Sequence, residues 1–229
     1  MADLTGKRVL VAGGTGDVGA GIVEVLLKRG AEVIVPSRSE EKADRLRAGL
    51  GPLLRPTIVN GEVGTVHGAQ TVAAAVSGTG PLDGVIASLG GWWQGSSLIQ
   101  VDPVVWDDII AGNLTSHFAT AKAFIPLLQA RGGNYVQILG AAAEFPIPGS
   151  SLVSITAAAV SMMGRALAAD AANSPLRVRQ ILIASIVATR ARTTVNPNWV
   201  TALDIGEIVA GMVADPGAGE DVVRVTGRS

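Results

Sequence analysis

The chain has 229 residues, 48% apolar and 16% charged, which allows one large domain with a buried core and excludes a disordered chain. A net charge of -1 gives no electrostatic reason to expect nucleic acid or an anionic membrane as partner. Cysteine is absent, which rules out disulfides, thiolate catalysis and cysteine-based metal sites and suits a reducing cytoplasm. The N-terminal stretch runs into a strand-and-glycine pattern with no signal-peptide apolar region, and no run approaches the roughly 18 apolar residues that cross a bilayer. A cytoplasmic protein is expected.

Short β-branched runs alternate with longer helical patterns, the signature of βαβ units and a parallel sheet. Strands are predicted at Arg8–Ala12, Glu32–Pro36, Arg55–Asn60, Gly84–Ser88, Asn134–Leu139, Val178–Ile183 and Val222–Val225. Helices are predicted near Gly19–Arg29, Ser39–Ala48, Gly68–Ser77, Val104–Gln129, Leu152–Ala172 and Ile205–Ala214. The first strand is a nearly unbroken apolar run, as a strand covered on both faces requires. Gly30 and Gly132-Gly133 close the helices before them. With no linker or repeat in view, residues 1–229 read as a single α/β domain, a doubly wound Rossmann-type fold with a seven-stranded parallel sheet and helices on both faces.

The first strand ends in Gly13-Gly14-Thr15-Gly16-Asp17-Val18-Gly19 and a helix follows. In a dinucleotide-binding turn one glycine makes the bend, one admits the pyrophosphate, and one lets helix and strand pack closely. The helix N-terminus then offers free N–H groups to the anion. Asp17 is discordant there: its carboxylate either repels the pyrophosphate or is stabilised by the helix dipole. The second strand ends in Pro36-Ser37-Arg38-Ser39, with no acid to bind a ribose hydroxyl. Arg38, with Ser37 beside it, suits the 2′-phosphate of NADP, so NADPH is expected over NADH.

These residues make the chain resemble the short-chain dehydrogenase/reductase family from Leu4 to about Gly227. The resemblance places Glu62 and Val63 where the family has an acid contacting adenine. It matches Ala87-Ser88-Leu89-Gly90 to the family's Asn-Asn-Ala-Gly, with Ser88 and Gly90 beside the cofactor. It matches Asn113 to the helix asparagine that helps hold a proton-relay water, and Thr189 to a contact with the nicotinamide-side phosphate. The segment Ala157–Asp170 is similar to the helix carrying the family's Tyr-x-x-x-Lys. Aligned on it, Val153 falls at the tyrosine, Ala157 at the lysine, and Gly140 or Ala141 at the serine. The 40 residues from Asn113 to Val153 keep close to the family spacing.

The resemblance therefore implies an NADP(H)-binding oxidoreductase with a degenerate active site. Carbonyl reduction needs a proton donor at oxygen as hydride reaches carbon, and valine, alanine and glycine supply none. Tyr135, at the start of the fifth strand, lies at the wrong end of the sheet. Other candidates for the cleft are Trp92 and Trp93, which either meet a substrate or partner or pack under a loop. Glu144 is either a desolvated acid–base group or an exposed loop carboxylate. His117, one helical turn after Asn113, either shares its face or serves structure. Ser150, Ser151, Ser154 and Thr156 lack a base, and the histidines make no metal site, so the metal expectation is none. The segment Arg190 to about Asp204 is short beside the family's helical substrate lid. A small-molecule substrate and a homodimer or homotetramer are expected. The alternatives are a non-catalytic dinucleotide sensor or partner subunit, and a non-redox enzyme that reuses the cleft.

Overall fold

A computed structural model describes residues 2–129, 131–194 and 196–227. It contains β1 (Arg8–Ala12), α1 (Asp17–Lys28), β2 (Glu32–Ser37), α2 (Glu40–Leu50), β3 (Thr57–Asn60), α3 (Val66–Ser77) and β4 (Gly84–Ala87). There follow α4 (Pro103–Ile110), α5 (Ser116–Gln129), β5 (Asn134–Gly140), α6 (Ser151–Asp170), β6 (Arg177–Ala184), β7 (Val187–Ala188), β8 (Val200–Thr201), α7 (Ala202–Ala214) and β9 (Val222–Thr226). Seven strands form one sheet in the order β3-β2-β1-β4-β5-β6-β9, with every pairing parallel. The expected doubly wound fold is present. The short pair β7–β8 stands apart and was not predicted.

Several strands hand the chain to a helix through a capping side chain. Ser39 and Thr65 accept from the amides of Lys42 and Gly68 as N-caps of α2 and α3. Thr201 and Asp204 form a reciprocal capping box at the start of α7. All five residues of β1 are buried, as a strand covered by helices on both faces must be. One core cluster packs Val9, Val11, Val33 and Val35 against Ile22, Leu26, Ile205 and Val209 of α1 and α7. The opposite face packs Leu10, Ile34 and Val85 against Val72, Phe124 and Leu128 of α3 and α5.

Three sequence readings are corrected. The helix α1 starts two residues earlier than expected, because the Gly16 carbonyl already accepts from Ala20. The helix expected over 104–129 is two α-helices joined by a π turn at Ala111–Thr115, where an extra residue loosens the winding. Finally, α6 is long and apolar enough by length and composition to span a bilayer, contrary to the sequence reading. It lies against the sheet instead: Gly164 lets it approach so closely that a Cβ there would sit 2.2 Å from the Gln180 amide nitrogen. That amide, buried, donates to Gln137 and to the Val160 and Ser161 carbonyls.

The α1–α7 contact holds the outer layer on one face. A Cβ on Gly21 would lie 2.4 Å from the Ala202 Cβ, and one on Gly206 would lie 2.8 Å from Val25. Gly21→Ala is expected to lower stability by about 1–3 kcal/mol through overpacking, outweighing alanine's helix-propensity gain of about 1 kcal/mol. Urea unfolding checks this, and an unchanged midpoint would mean that α7 is free to shift off α1.

Candidate cofactor-binding and active site

A cleft of about 970 Å³ opens at the carboxyl ends of the strands. It spans the place where the strand order reverses, between β1 and β4, which is where ligands bind in open α/β sheets. Gly13 sits at φ +79°, and a Cβ there would lie 2.0 Å from the Ser88 carbonyl oxygen. Only glycine lets the end of β1 turn against the tip of β4. Gly16, Asp17, Val18 and Gly19 line the cleft, and the first-turn amides of α1 have no acceptor within the helix. Asp17 is exposed at the first position of that helix. Thr15 is half-buried in the turn and does not line the cleft.

At the tip of β2, Ser37 is buried and its hydroxyl donates to the Ser39 carbonyl, 2.9 Å. Arg38 is 80% exposed and pairs with Glu62 at 3.6 Å. The structure thus brings together the two residues read separately as ribose-phosphate and adenine contacts. Val63 is buried in the core, and its carbonyl accepts from Thr120.

Around the other half of the cleft, Gly90 holds φ +95° beside Asn113. The Asn113 amide bonds the Gly91 backbone twice, accepting from its N–H at 2.8 Å and donating to its carbonyl at 3.0 Å. The π turn carries Asn113, and its side chain is occupied in fixing the loop after β4. Trp92 is 63% exposed and lines the cleft. Trp93 is half-buried over Gly95 and does not. Ser88, Gly90, His117 and Thr189 also line the cleft.

His117 is 2% exposed, its Nε2 lies 3.4 Å from the Leu89 carbonyl, and its Nδ1 has no partner among the described residues. Burial lowers its pKa to about 4, partly opposed by the Leu89 contact, so the ring is neutral at pH 7. Tyr135 is fully buried with its hydroxyl donating to the His117 carbonyl, and burial pushes the phenol up.

Glu144 is exposed, lies outside the cleft lining, and is ion-paired to Arg224, so the desolvation that an acid–base role requires is not present. Gly140, Ala141, Val153 and Ala157 all line the cleft. No tyrosine or lysine does so among the described residues, and no group of acids and histidines there could hold a metal ion. Arg192 and Arg224 do line it, and the sequence reading singled out neither. Their one signal was position: Arg192 follows Thr189 closely, and Arg224 lies in the last strand.

The residues present fit a dinucleotide. Thr189 lines the cleft, and its buried Oγ1 has no hydrogen-bond partner among the described residues. The first-turn amides of α1 and the guanidinium of Arg38 are donors of the kind that a dinucleotide's phosphates require.

The chain belongs to the short chain dehydrogenase family, whose sequence model matches residues 7–199. It is 31% identical over 178 residues to dehydrogenase/reductase SDR family member 4 of Pongo abelii, a match covering 76% of this chain and 64% of that protein. It is 25% identical over 235 residues to the 3-oxoacyl-(acyl-carrier-protein) reductase FabG of Chlamydia pneumoniae, covering 97% of this chain and 88% of that one. In fold it is similar to a metagenomic short-chain oxidoreductase solved in complex with NADP, with TM-score 0.83, 20% identity and 97% of each chain covered. A short-chain dehydrogenase/reductase from Vibrio parahaemolyticus aligns with TM-score 0.80, 17% identity and 95% of each chain covered.

The buried histidine makes a prediction about pH. Its pKa falls from 6.5 to about 4 on folding, so between those values the unfolded chain binds the proton and the folded chain does not. Stability is therefore lost as pH falls from 6.5 towards 4, by about 3 kcal/mol in all from this group. His117→Leu should remove that part of the slope in denaturant unfolding measured across the window. An identical pH dependence in variant and parent would show that the imidazole protonates within the fold.

Proposed function

We propose that this protein binds NADP(H) along the cleft and is an oxidoreductase whose usual proton-transfer chemistry has been lost. The observation that carries the reading is the lining itself. The cofactor end keeps glycine turn, helix amides and the unpartnered Thr189 hydroxyl, while the reacting end presents Gly140, Ala141, Val153 and Ala157. Arg38 supports the phosphorylated cofactor, because a guanidinium meets a 2′-phosphate with paired charge-assisted hydrogen bonds. A bound reduced nicotinamide would supply hydride. Ser88 and Thr189 would hold the nicotinamide side, Gly16 to Gly19 the diphosphate, and Asn113 would keep the loop after β4 in place.

At the reacting end no tyrosine or lysine among the described residues stands ready to give a proton to a carbonyl oxygen. The nearly enclosed His117 lines the cleft, and its low pKa leaves it neutral, without a proton to give as an acid, at pH 7. That apolar wall favours a second reading, a non-catalytic sensor that binds the dinucleotide and reports it to a partner. The exposed, paired Glu144 lends no support to a non-redox enzyme. A cytoplasmic location and assembly with further copies of the chain belong to the proposal. Apolar Val104, Phe118 and Met162 stand exposed on the successive helices α4, α5 and α6.

Titration with NADPH, NADP, NADH and NAD, followed by thermal unfolding, tests the reading. The phosphorylated forms should stabilise at lower concentration, by about 2.7 kcal/mol at a hundredfold excess over Kd. Arg38→Ala should weaken them by about tenfold and leave NADH unchanged. No response to any of the four nucleotides would sink both readings. With NADPH bound, absorbance assays over a panel of carbonyls should show reduction at least about a hundredfold slower than a relative with a proton donor.

A further inference from the structure

Arg192 is the cleft cation that the proposed function leaves without a role. The charged side chains lining the cleft, among the described residues, are Asp17, Arg192 and Arg224. Arg224 is held by Glu144, whereas Arg192 has no acidic partner among the described residues. Its guanidinium lies 5.6 Å from the ring centroid of Trp199, a cation–π contact that steadies the cation while leaving its N–H donors free.

The segment carrying both residues is strapped to α1 at each end. On the near side, Arg190 donates to Glu24 of α1 at 2.6 Å, and its other terminal nitrogen lies against Gly49 of α2. On the far side, Ala202 packs on Gly21 of α1. The pairs Val187–Val200 and Ala188–Thr201 close the base of the loop, and Arg192 N–H bonds back to the Thr189 carbonyl. Both anchors involve α1, and Arg192 lines the same cleft as that helix's N-terminal residues Gly16 to Gly19. Arg38 and Glu62 do not line it.

We infer that Arg192 binds the diphosphate of the dinucleotide, supplying from the strap the positive charge that Asp17 removes from the glycine turn. The inference rests on the cofactor reading above and adds to it a residue outside the glycine turn. Helix amides and guanidinium would meet the diphosphate from two sides, and Thr189 would stand beside them. Because every nicotinamide dinucleotide carries the diphosphate, Arg192 serves NADPH and NADH alike. Arg38 serves only the phosphorylated forms.

Calorimetric titration of the whole chain with NADPH and with NADH tests this. Arg192→Ala should weaken both by about tenfold and Arg192→Lys by less, in keeping with one charge-assisted contact to phosphate. Trp199→Leu, which removes the ring under the guanidinium, should weaken both by a smaller factor. Arg192 is exposed, so its variants should keep the unfolding temperature of the parent without nucleotide. Unchanged affinities in Arg192→Ala, with the parent binding both nucleotides, would overturn the inference and leave the cofactor reading intact. A loss confined to NADPH would overturn it too, by moving Arg192 to the 2′-phosphate. A parent chain that binds neither nucleotide would bring down the cofactor reading and the inference together.

Discussion

The turn at the end of β1 meets the tip of β4 backbone to backbone, and the rest of the site hangs on that approach. With no Cβ on Gly13, the turn lies against the Ser88 carbonyl, and Gly19 in turn closes on the Gly13 carbonyl. Strand, turn and helix are thereby drawn together at the point where the strand order reverses. The first-turn amides of α1 are left facing the cleft, without acceptors of their own. Substituting any side chain at Gly13 would push α1 away from the sheet and carry off the amide cradle with it.

A second constraint works from the other side of α1. Gly21 and Gly206 let α7 lie directly on that helix, and the same contact tethers the chain that passes over the cleft. Helix α1 thus carries two loads, its N-terminus facing the ligand and its flank holding the strap. The charges follow this geometry. Glu24, nearly buried on α1, draws in both Lys28 and Arg190, and Arg192 has no acidic partner among the described residues. An acid in the turn and an arginine on the strap balance within one cleft.

The reacting end departs from this pattern of satisfied charge. Its wall is glycine, alanine and valine, and its one ring nitrogen pair belongs to a histidine kept neutral by burial. Among the described residues this wall includes no tyrosine or lysine to pass a proton to an oxyanion.

Much of the fold was legible because its signals are local. β1 is apolar along its length, Gly30 and Gly132 sit at positive φ where helices stop, and the glycine spacing after β1 marks a strand-turn-helix. Those features depend on periodicity and backbone conformation, which neighbours in sequence dictate. That Val153 and Ala157 face one cleft with the glycine turn follows a register with the family's helix that the sequence already carried. What the tertiary structure alone decided was pairing. Arg38 lies against Glu62, Glu144 against Arg224 and Arg192 over Trp199, and Trp92 parts from Trp93. Each of these joins or separates side chains through the packing of helices on the sheet. Electrostatic and aromatic contacts act over a few ångströms of space, however far apart or close their residues stand along the chain.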